Sequence, residues 1–462
     1  MNTETTFRIL SAIDGTLLAE LENHTSDDVD TAVTAAKEAR DVLAALTAYE
    51  RADLCRAVAA RLIANVEEVS SAVVRETGRP LASGRDEVHK AASGMILAAE
   101  EVVRMFGAVV PVRTRDRVTF TSPHPTGVWG VLSPWNFPVN IPLEYLGPAL
   151  ASGNPVVWKP APSTSASALI VLRCFDEAGV PPGAVNLITT DRLETARRIT
   201  THPDIVGIGL TGGTATGKAV AASAVGKELI LELGGNGPII VYADADLDAA
   251  AESIAIAGFS ASGQICSATG RVLAAREIAG ELAERVAAIA PRYTLGEPFD
   301  DATVIGPVHD LAIADRIRSH VKSALADGAQ LLTSVDSRDW PTDTYIAATV
   351  LGNVREGSAI DVEETFGPVV PIVPVDSERL IEVANNSDHA LSVAVFTNDY
   401  STALRAAAAL NYGTVVVNDR SSYWELHLPF GGWSGRSSGT GRVGVPEVLR
   451  RMTQIKTTTL TF

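Results

Sequence analysis

The segment IVGIGLTGGTATGKAVAASAVGKELILELGGNGP (205–238) decides the predicted fold. It begins with a short apolar run, IVGIGL, and passes through a glycine-rich turn into a helical stretch from about residue 215. It then returns to a second apolar run, ELILELGG. Strands and helices that alternate at this spacing are typical of a doubly wound parallel sheet. The segment therefore predicts a β-α-β unit and an α/β fold.

The same alternation continues on the N-terminal side of this segment. Apolar runs at GVWGVLSPW (127–135), NPVVWKP (154–160) and AVNLIT (184–189) are separated by helical stretches near 165–178 and 192–201. Further upstream the apolar spacing predicts helices near 26–46, 50–65 and 86–105, with Ser26 as the cap of the first.

After Gly235 the strand and helix pattern starts again. PIIVYAD is followed by a long alanine-rich helix, and strand-like runs follow at VVPIVPVD, SVAVFTND and GTVVVND. We therefore expect two α/β lobes joined near 233–236. Two other stretches are strand-like but do not belong to this alternation of strands and helices: VTFTSPHP (118–125) and the tail IKTTTLTF. We expect the tail to pair with the strand at 118–122.

Composition and charge exclude several classes of protein. A chain of 462 residues is too long for one core, so two or more domains are expected. The formal charge of −17, without a block of basic residues, argues against a nucleic-acid partner. The N-terminus lacks the pattern of a signal peptide, and no apolar run is long enough to span a membrane. Three dispersed cysteines predict neither a disulfide framework nor a metal site, so a cytoplasmic location is expected.

The segment GQICSATGR (263–271) presents Cys266 among small residues after a predicted helix. A nucleophilic thiolate needs a partly open site and a local positive field, here from backbone amides. The alternative is a small buried cysteine of structural importance only. We expect that alternative for Cys55 and Cys174, which fall on apolar helical stretches.

Two other segments place polar side chains where strands are predicted to end. In ELGGNGP (232–238), Glu232 stands at the carboxyl edge of a strand and is a candidate general base, or else a helix cap or surface charge. In SPWNFPVN (133–140), Asn136 is a candidate donor to an oxyanion, or else a turn-forming residue before proline.

The turn LTGGTATG (210–217) follows a strand and opens a helix, as in a phosphate-binding turn. Its glycines do not have the ordinary GxGxxG spacing.

Together these segments resemble the aldehyde dehydrogenase superfamily, and the resemblance covers essentially the whole chain. It implies that Cys266 is the nucleophile, that Glu232 is the base, and that Asn136 is the oxyanion donor together with the backbone N–H of Cys266. The implied reaction is NAD(P)-dependent oxidation of an aldehyde to a carboxylic acid through a thiohemiacetal and a thioester on the cysteine.

Further segments extend the resemblance to the cofactor site. VVWKPAP (156–162) resembles the segment whose lysine holds the adenosine ribose, and PFGGWSGRSSGTGR (429–442) resembles the closing segment of the family. In EETFGPV (363–369), the resemblance implies that Glu364 binds the nicotinamide ribose. The cofactor-binding residues that it implies are Trp135, Lys159, Pro162, Gly212, Gly213, Gly217, Glu364 and Phe366, with Lys159 also placed in the catalytic set.

The resemblance also implies the architecture. It gives two Rossmann-like doubly wound lobes, one for the cofactor (1–106 and 126–233) and one for catalysis (234–445). A small bridging sheet (107–125 and 446–462) is implied to join subunits into a homodimer or a dimer of dimers.

Several positions depart from the pattern of the family. Gly213 stands where a serine is common, and Pro162 stands where many NAD-preferring members carry a glutamate, so NAD and NADP both stay open. The substrate funnel also carries Asn140 and Glu144 where apolar residues are common, which predicts a polar substrate.

In that funnel, Glu144 is expected to meet either Arg420 or a donor on the substrate, and Arg420 can pair with Glu144 or Asp419. The full set of expected substrate residues is Phe137, Asn140, Glu144, Ile265, Ser267, Arg420, Tyr423, Trp424 and Phe430.

Two alternative functions are open at this point. A CoA-acylating semialdehyde dehydrogenase would pass the thioester to CoA, but such members usually lack the glutamate found here at Glu232. A retired enzyme that serves as a structural or binding protein would be free to lose its catalytic residues, yet all three are present.

Overall fold

The computed structural model describes residues 5–334, 336 and 338–462. Numbered in chain order, its strands are β1 Thr6–Leu10, β2 Leu17–Glu22, β3 Val109–Val110, β4 Arg117–Pro125, β5 Val128–Leu132, β6 Val156–Lys159, β7 Val185–Leu187, β8 Ile205–Gly212, β9 Glu228–Leu233, β10 Pro238–Val241, β11 Arg271–Ala275, β12 Gln330–Leu331, β13 Thr349–Gly352, β14 Val369–Val375, β15 Ser392–Phe396, β16 Thr414–Val417, β17 Gly439–Thr440 and β18 Thr453–Thr461. Its α-helices are α1 Ser26–Ala45, α2 Ala48–Ala64, α3 Val66–Thr77, α4 Leu81–Val102, α5 Asn140–Ser152, α6 Ser165–Glu177, α7 Leu193–Thr201, α8 Thr214–Ser223, α9 Leu247–Phe259, α10 Ala279–Ile289, α11 Leu311–Ala326, α12 Ala359–Val362, α13 Leu380–Asn385, α14 Tyr400–Ala409 and α15 Val445–Arg451.

One large sheet is formed by the strands around the central β-α-β unit, in the order β17-β9-β8-β5-β6-β7. Neighbouring strands from β9 to β7 are parallel, and β17 is antiparallel to β9. The chain runs outward from β5 to β6 and β7, then returns to the other side of β5 to form β8 and β9. In such a sheet ligands bind beyond the carboxyl ends of the strands where the direction reverses. That place lies between β5 and β8.

Helices cover both faces of this sheet, which explains why its strands are almost continuously apolar. The strand β5 is buried along its whole length, as is α5, which packs with α2 and α4 on one face. Helices α1, α7 and α8 pack on the other face around a second apolar cluster.

The other large sheet has the order β12-β13-β14-β11-β10-β15-β16, and all its neighbours are parallel except β12 and β13. Residues of α9 and α10 form the core on one face, and residues of α11 and α13 contribute to the core on the other. The chain is therefore an α/β protein with two Rossmann-like lobes, as the sequence predicts.

A third sheet, in the order β18-β4-β3, is antiparallel. The tail pairs with β4 over nine positions, from Thr453 opposite Pro125 to Thr461 opposite Arg117, so the predicted pairing of the tail is confirmed. Several large apolar side chains of this sheet are exposed, namely Val109, Val118, Ile455 and Leu460.

Two local predictions have different outcomes. The expected Ser26 cap of α1 is wrong, because Thr25 accepts a hydrogen bond from the N–H of Asp28 while the Asp28 carboxylate accepts one from Thr25. Cys55 and Cys174 are fully buried, as expected. None of the helices that the structure describes is long and apolar enough to cross a membrane.

Candidate active site

Two cavities meet beyond the carboxyl ends of β8 and β9. The larger has a volume of about 470 Å³ and the smaller one of about 320 Å³. Their linings share three residues, Thr211, Glu232 and Cys266. Molecules bound in either cavity can therefore reach these three residues. The sequence had suggested Glu232 and Cys266, which lie 34 residues apart (266 − 232), on separate grounds.

The loop that carries Cys266 follows a left-handed turn. Ala261, Ser262 and Gly263 have φ angles of 49°, 55° and 70°, and only glycine adopts this conformation without strain. The buried Ser262 hydroxyl donates to the carbonyl of Gly306 (2.8 Å), which helps to hold the turn. The turn reverses the chain after α9 and directs Cys266 into the cavities.

A glycine in the segment between the lobes lets this loop approach β9. A Cβ atom at Gly235 would lie 2.3 Å from the backbone oxygen of Cys266, which no side chain tolerates. The backbone of Gly235 also donates to Oε1 of Glu364 (3.1 Å). The close contact brings the cysteine loop of the second lobe beside Glu232 of the first.

Glu232 lies near the end of β9, between β8 and β17. Its Oε1 atom is buried and has no hydrogen-bond partner among the described residues. Burial raises the pKa of Glu232 to about 8; a hydrogen bond from the Cys266 thiol opposes this, and the charges of Glu144 and Glu364 add to it. A carboxyl group with this pKa can exchange protons near neutral pH.

Burial and carboxyl groups determine the electrostatic surroundings of the Cys266 side chain. Burial raises the pKa of the thiol well above its usual range, and the nearby Glu232 carboxyl raises it further. In the protein without substrate or cofactor, the thiol proton is therefore kept within the Cys266–Glu232 pair. The positive field expected from backbone amides stays a prediction.

Asn136 is held in the loop between β5 and α5. Its Nδ2 donates to the backbone oxygen of Gln264 (3.0 Å), two residues before Cys266. The Gln264 side chain accepts in turn from the backbone N–H of His309 (2.9 Å). One N–H of the Asn136 amide is fixed in this way, and the other remains available to an oxygen atom in the cavity.

The smaller cavity contains five of the expected cofactor residues, Trp135, Gly212, Gly213, Glu364 and Phe366. Trp135 stacks on His309 with ring centroids 4.1 Å apart, and Phe366 packs against its edge. Gly213 is the N-cap of α8 and makes no side-chain cap, and a Cβ atom there would meet nothing within 4 Å. This open helix terminus beside an aromatic wall fits a dinucleotide with its pyrophosphate.

Three other expected cofactor residues line neither cavity. Lys159 ends β6, and its Nζ donates to the carbonyl of Pro160 (3.0 Å), while burial lowers its pKa to about 8. Pro162 begins a short 3-10 helix, Pro162–Thr164. Gly217 lies against β9, where a Cβ atom would be 2.3 Å from Leu233, so its place is explained by helix–strand packing.

The larger cavity contains all but one of the expected substrate residues, Phe137, Asn140, Glu144, Ile265, Ser267, Arg420, Trp424 and Phe430. Trp424 packs at a tilt on Phe430, and the Phe137 ring lies under the Arg79 guanidinium. Tyr423 does not line the cavity. Its hydroxyl donates to Glu425 (2.7 Å) on the surface.

Among the polar groups of the funnel, Glu144 has a partner that was not expected, whereas Arg420 follows one of its two expected alternatives. Asn140 donates from Nδ2 to Oε1 of Glu144 (2.6 Å), one helical turn along α5. Arg420 is partly exposed and lies 3.9 Å from Asp419, as one expected alternative has it. Burial raises the pKa of Glu144 to about 7, while the charge of Lys90 lowers it.

Sequence reasoning did not identify Thr211, Lys90 or Glu87 as part of the site. Thr211 directly precedes the glycine turn, which was the one available signal, and its hydroxyl pairs with that of Tyr145 (2.9 Å). Lys90 and Glu87 are on α4, whose sequence is that of an ordinary helix. Within the described part of the chain, no group of three or more His, Cys, Asp or Glu residues is arranged to hold a metal ion.

Comparisons with known proteins agree with this geometry. The family model described as "Aldehyde dehydrogenase family" matches residues 1–458. The α-ketoglutaric semialdehyde dehydrogenase of Bacillus subtilis is 33% identical over 434 residues, which are 93% of this chain and 89% of that protein.

Among solved structures, the NADP-dependent glyceraldehyde-3-phosphate dehydrogenase of Bacillus halodurans, complexed with NADP, has a TM-score of 0.95 and 32% identity, and covers 100% of this chain and 96% of its own. The betaine aldehyde dehydrogenase of Staphylococcus aureus, in complex with NAD+, has a TM-score of 0.93 and 28% identity, with 99% and 92% covered. The chain belongs to the aldehyde dehydrogenase family and is an enzyme that oxidises an aldehyde to an acid with NAD or NADP.

Proposed function

We propose that this enzyme oxidises a polar aldehyde with Cys266 as nucleophile, Glu232 as general base and Asn136 as oxyanion donor. The observation that carries the assignment is that Cys266 and Glu232 line both cavities. A group that forms a covalent bond with the substrate while a hydride leaves for a cofactor must be reachable from both sides.

The proposed chemistry begins with the proton of the Cys266 thiol. Glu232 accepts this proton, because its pKa of about 8 is close to the working pH. The sulfur then attacks the carbonyl carbon, and the negative oxygen is stabilised by the free N–H of the Asn136 amide. A donor of this kind typically lowers the barrier by about 3 kcal/mol.

NAD or NADP, when bound, accepts the hydride that leaves the substrate carbon. Trp135, Glu364, Phe366 and the N-terminus of α8 would hold it. Glu232 passes the thiol proton to solvent, and its carboxylate then removes a proton from the water that attacks the thioester. The acid leaves, and the thiolate of Cys266 is regenerated. The presence of Glu232 in the shared lining favours hydrolysis over transfer of the acyl group to CoA.

We propose a polar substrate because the wall of the larger cavity carries Asn140, Glu144, Lys90 and Arg420. The name of the α-ketoglutaric semialdehyde dehydrogenase, a relative with a polar substrate, supports the same proposal. Hydrogen-bonding sites discriminate between substrates far more strongly than apolar pockets do.

The experiment that tests this function is an aldehyde panel with NAD and with NADP, and with and without CoA. We expect reduced cofactor and free carboxylic acid in equal amounts whether or not CoA is present. Formation of acyl-CoA would show the acylating reaction instead. Cys266→Ala is expected to abolish turnover, and the matched control Cys174→Ala removes a buried thiol that lines neither cavity and is expected to keep most of it. More than a few per cent of turnover in Cys266→Ala would overturn the thioester mechanism.

The remaining proposals concern organisation. We assign 1–106 and 126–233 to cofactor binding, 234–445 to catalysis, and 107–125 with 446–462 to a bridging sheet between subunits of a homodimer or dimer of dimers. The exposed apolar side chains of that sheet support the last assignment. Three unpaired cysteines support a cytoplasmic location.

A further inference from the structure

One buried acceptor in the larger cavity is left without a donor. Asn140 is 5% exposed, and its Oδ1 atom has no hydrogen-bond partner among the described residues. The Nδ2 atom of the same amide already donates to Glu144 (2.6 Å), which fixes the orientation of the amide. A buried acceptor without a donor costs about 1–3 kcal/mol, so a ligand that brings a donor to this atom gains that amount.

The backbone at Asn140 is held by hydrogen bonds to a buried carboxylate of another helix. Oε1 of Glu87 accepts from the backbone N–H groups of Val139 (2.7 Å) and Asn140 (2.9 Å), at the N-terminus of α5. Glu87 is itself paired with Arg79, and both side chains are fully buried. The amide of Asn140 is therefore held in place before a substrate arrives.

The charges of the cavity decide which kind of donor fits. Its charged lining residues are Asp86, Glu87, Lys90, Glu144, Glu232 and Arg420. A carboxylate of the substrate has no proton to offer Oδ1 of Asn140, so it cannot satisfy this atom. An ammonium group would be repelled by Lys90, whose charge acts on Glu144 and which lies 4.7 Å from the Trp424 ring. A hydroxyl group brings a proton without either penalty.

We propose that this cavity selects aldehydes that carry a hydroxyl group, which donates to Oδ1 of Asn140. The proposal rests on the proposed function, because it places the aldehyde carbon at Cys266 and the substituent at α5. It makes Asn140 and Glu144 a specificity-determining pair, in which Glu144 orients the amide and Asn140 contacts the substrate.

The test compares kcat/KM of the wild-type enzyme for hydroxyaldehydes with that for the matched aldehydes that lack the hydroxyl group, here called the deoxy partners. The pairs are glycolaldehyde with acetaldehyde, lactaldehyde and 3-hydroxypropanal with propanal, and 4-hydroxybutanal with butanal. At one hydroxyl position or more, we expect kcat/KM to exceed that of the deoxy partner about tenfold or more. A ratio below about twofold for every pair overturns the inference. So does a preference for 3-aminopropanal over 3-hydroxypropanal.

Three variants separate the hydrogen bond from general effects on the cavity. Asn140→Leu removes the acceptor at similar volume, and the hydroxyl preference should fall to about twofold or less. Glu144→Gln supplies an amide N–H that can satisfy Oδ1 of Asn140 internally, so the preference should fall there too. Ile141→Val changes packing in the same helix and cavity without a polar atom, and should shift both members of each pair together.

The outcomes distinguish this inference from the proposed function. If deoxy aldehydes are converted to acids and the hydroxyl gives no advantage, the function stands and the hydroxyl inference is wrong. A hydroxyl preference that survives in Asn140→Leu also shows it to be wrong. If no aldehyde yields reduced cofactor, the proposed function fails and the inference with it.

Discussion

Glu232 combines a buried oxygen that has no hydrogen-bond partner in the described part of the chain with a position beside the thiol of Cys266. We predict that Glu232→Gln separates the two half-reactions. The first turnover releases reduced cofactor near one equivalent per active subunit. In the absence of the Glu232 carboxylate, another acceptor has to take up the thiol proton of Cys266 only once in this phase. Thioester hydrolysis then becomes very slow, because the amide cannot accept a proton from water. Rapid-mixing absorbance of reduced cofactor measures both phases.

The pH dependence gives an independent check on this residue. The carboxyl must lose its proton to act as a base, so the wild-type steady-state rate should rise with pH and level off above a pKa of about 8. The slow phase of Glu232→Gln should lack this inflection. An unaltered steady-state rate in the variant would remove Glu232 from the mechanism.

Pro162 stands at the first position of the 3-10 helix after β6, where it presents no charge. We predict that the wild-type enzyme uses NADP at a useful rate alongside NAD, and that Pro162→Glu shifts the preference toward NAD by about tenfold. The reason is repulsion between the new carboxylate and the 2′-phosphate of NADP. The measurement is the ratio of kcat/KM for the two cofactors.

Pro162→Ala is the matched control, because it removes the ring without adding a charge and should leave the ratio near its wild-type value. If the wild-type enzyme prefers NAD by about a thousandfold or more, a group elsewhere makes the discrimination.

At this scale the sequence predicts the reactive groups better than their partners. Cys266, Glu232 and Asn136 each lie in a short recognisable segment, and two of them line both cavities. Lys90 and Glu87 reach the site from α4, across a packing contact between helices that local sequence does not encode. The raised pKa of Cys266 was likewise not predictable, because it depends on how many carboxyl groups the fold brings together.

Among the elements, α5 depends on a charge supplied by another helix. Its N-cap residue, Val139, has no side chain that can cap, and Glu87 accepts the first N–H groups instead. We predict that Glu87→Gln lowers the free energy of unfolding by about 3 kcal/mol, because it leaves the buried Arg79 unpaired. For a chain of this length that corresponds to a fall in Tm of about 3 °C.

The same change should lower kcat, because the loop with Asn136 leads into α5. Thermal melting at a fixed scan rate measures the first effect, and steady-state kinetics the second. Glu67→Gln breaks an exposed Arg–Glu pair, in which Arg85 donates to both carboxylate oxygens, and should cost less than about 1 kcal/mol. Equal shifts in the two variants would show that Glu87 has no special role at α5.

Periodicity predicts most elements of this chain, and fails where backbone geometry depends on tertiary contacts. Most strands of both large sheets follow from apolar runs between turn residues, but β11, β12, β13 and β17 were not predicted. The left-handed turn before Cys266 does not, because alanine and serine have no tendency toward that conformation. Contacts between distant residues, such as that of Ser262 with Gly306, hold this turn in the folded chain.

For the whole molecule, the alternation of strands and helices predicts two parallel sheets but not the order of their strands. The placement of β17 beside β9, two hundred residues earlier, is decided by the packing of the closing segment. Pairing of the tail with β4 was predictable because both stretches are strand-like and lie outside the two lobes. In a single chain the outer surface of that third sheet is uncovered.

Val118 and Leu460 are paired neighbours on that sheet, and both side chains are more than 40% exposed. Adjacent exposed apolar residues are typical of a surface that another subunit covers. We predict that the wild-type protein sediments as the proposed homodimer or dimer of dimers, and that the double variant Val118→Asp with Leu460→Asp sediments at a lower mass, because burying two carboxylates against a partner is costly. Sedimentation velocity of both proteins measures the change in mass. Leu193→Asp is the control, because Leu193 is 80% exposed on α7, away from the sheet, and should leave the mass unchanged.

The active-site residues come from the two lobes of one chain, so the dissociated subunit should still release reduced cofactor in a first turnover. A double variant that keeps the wild-type mass would show that subunits meet through another surface.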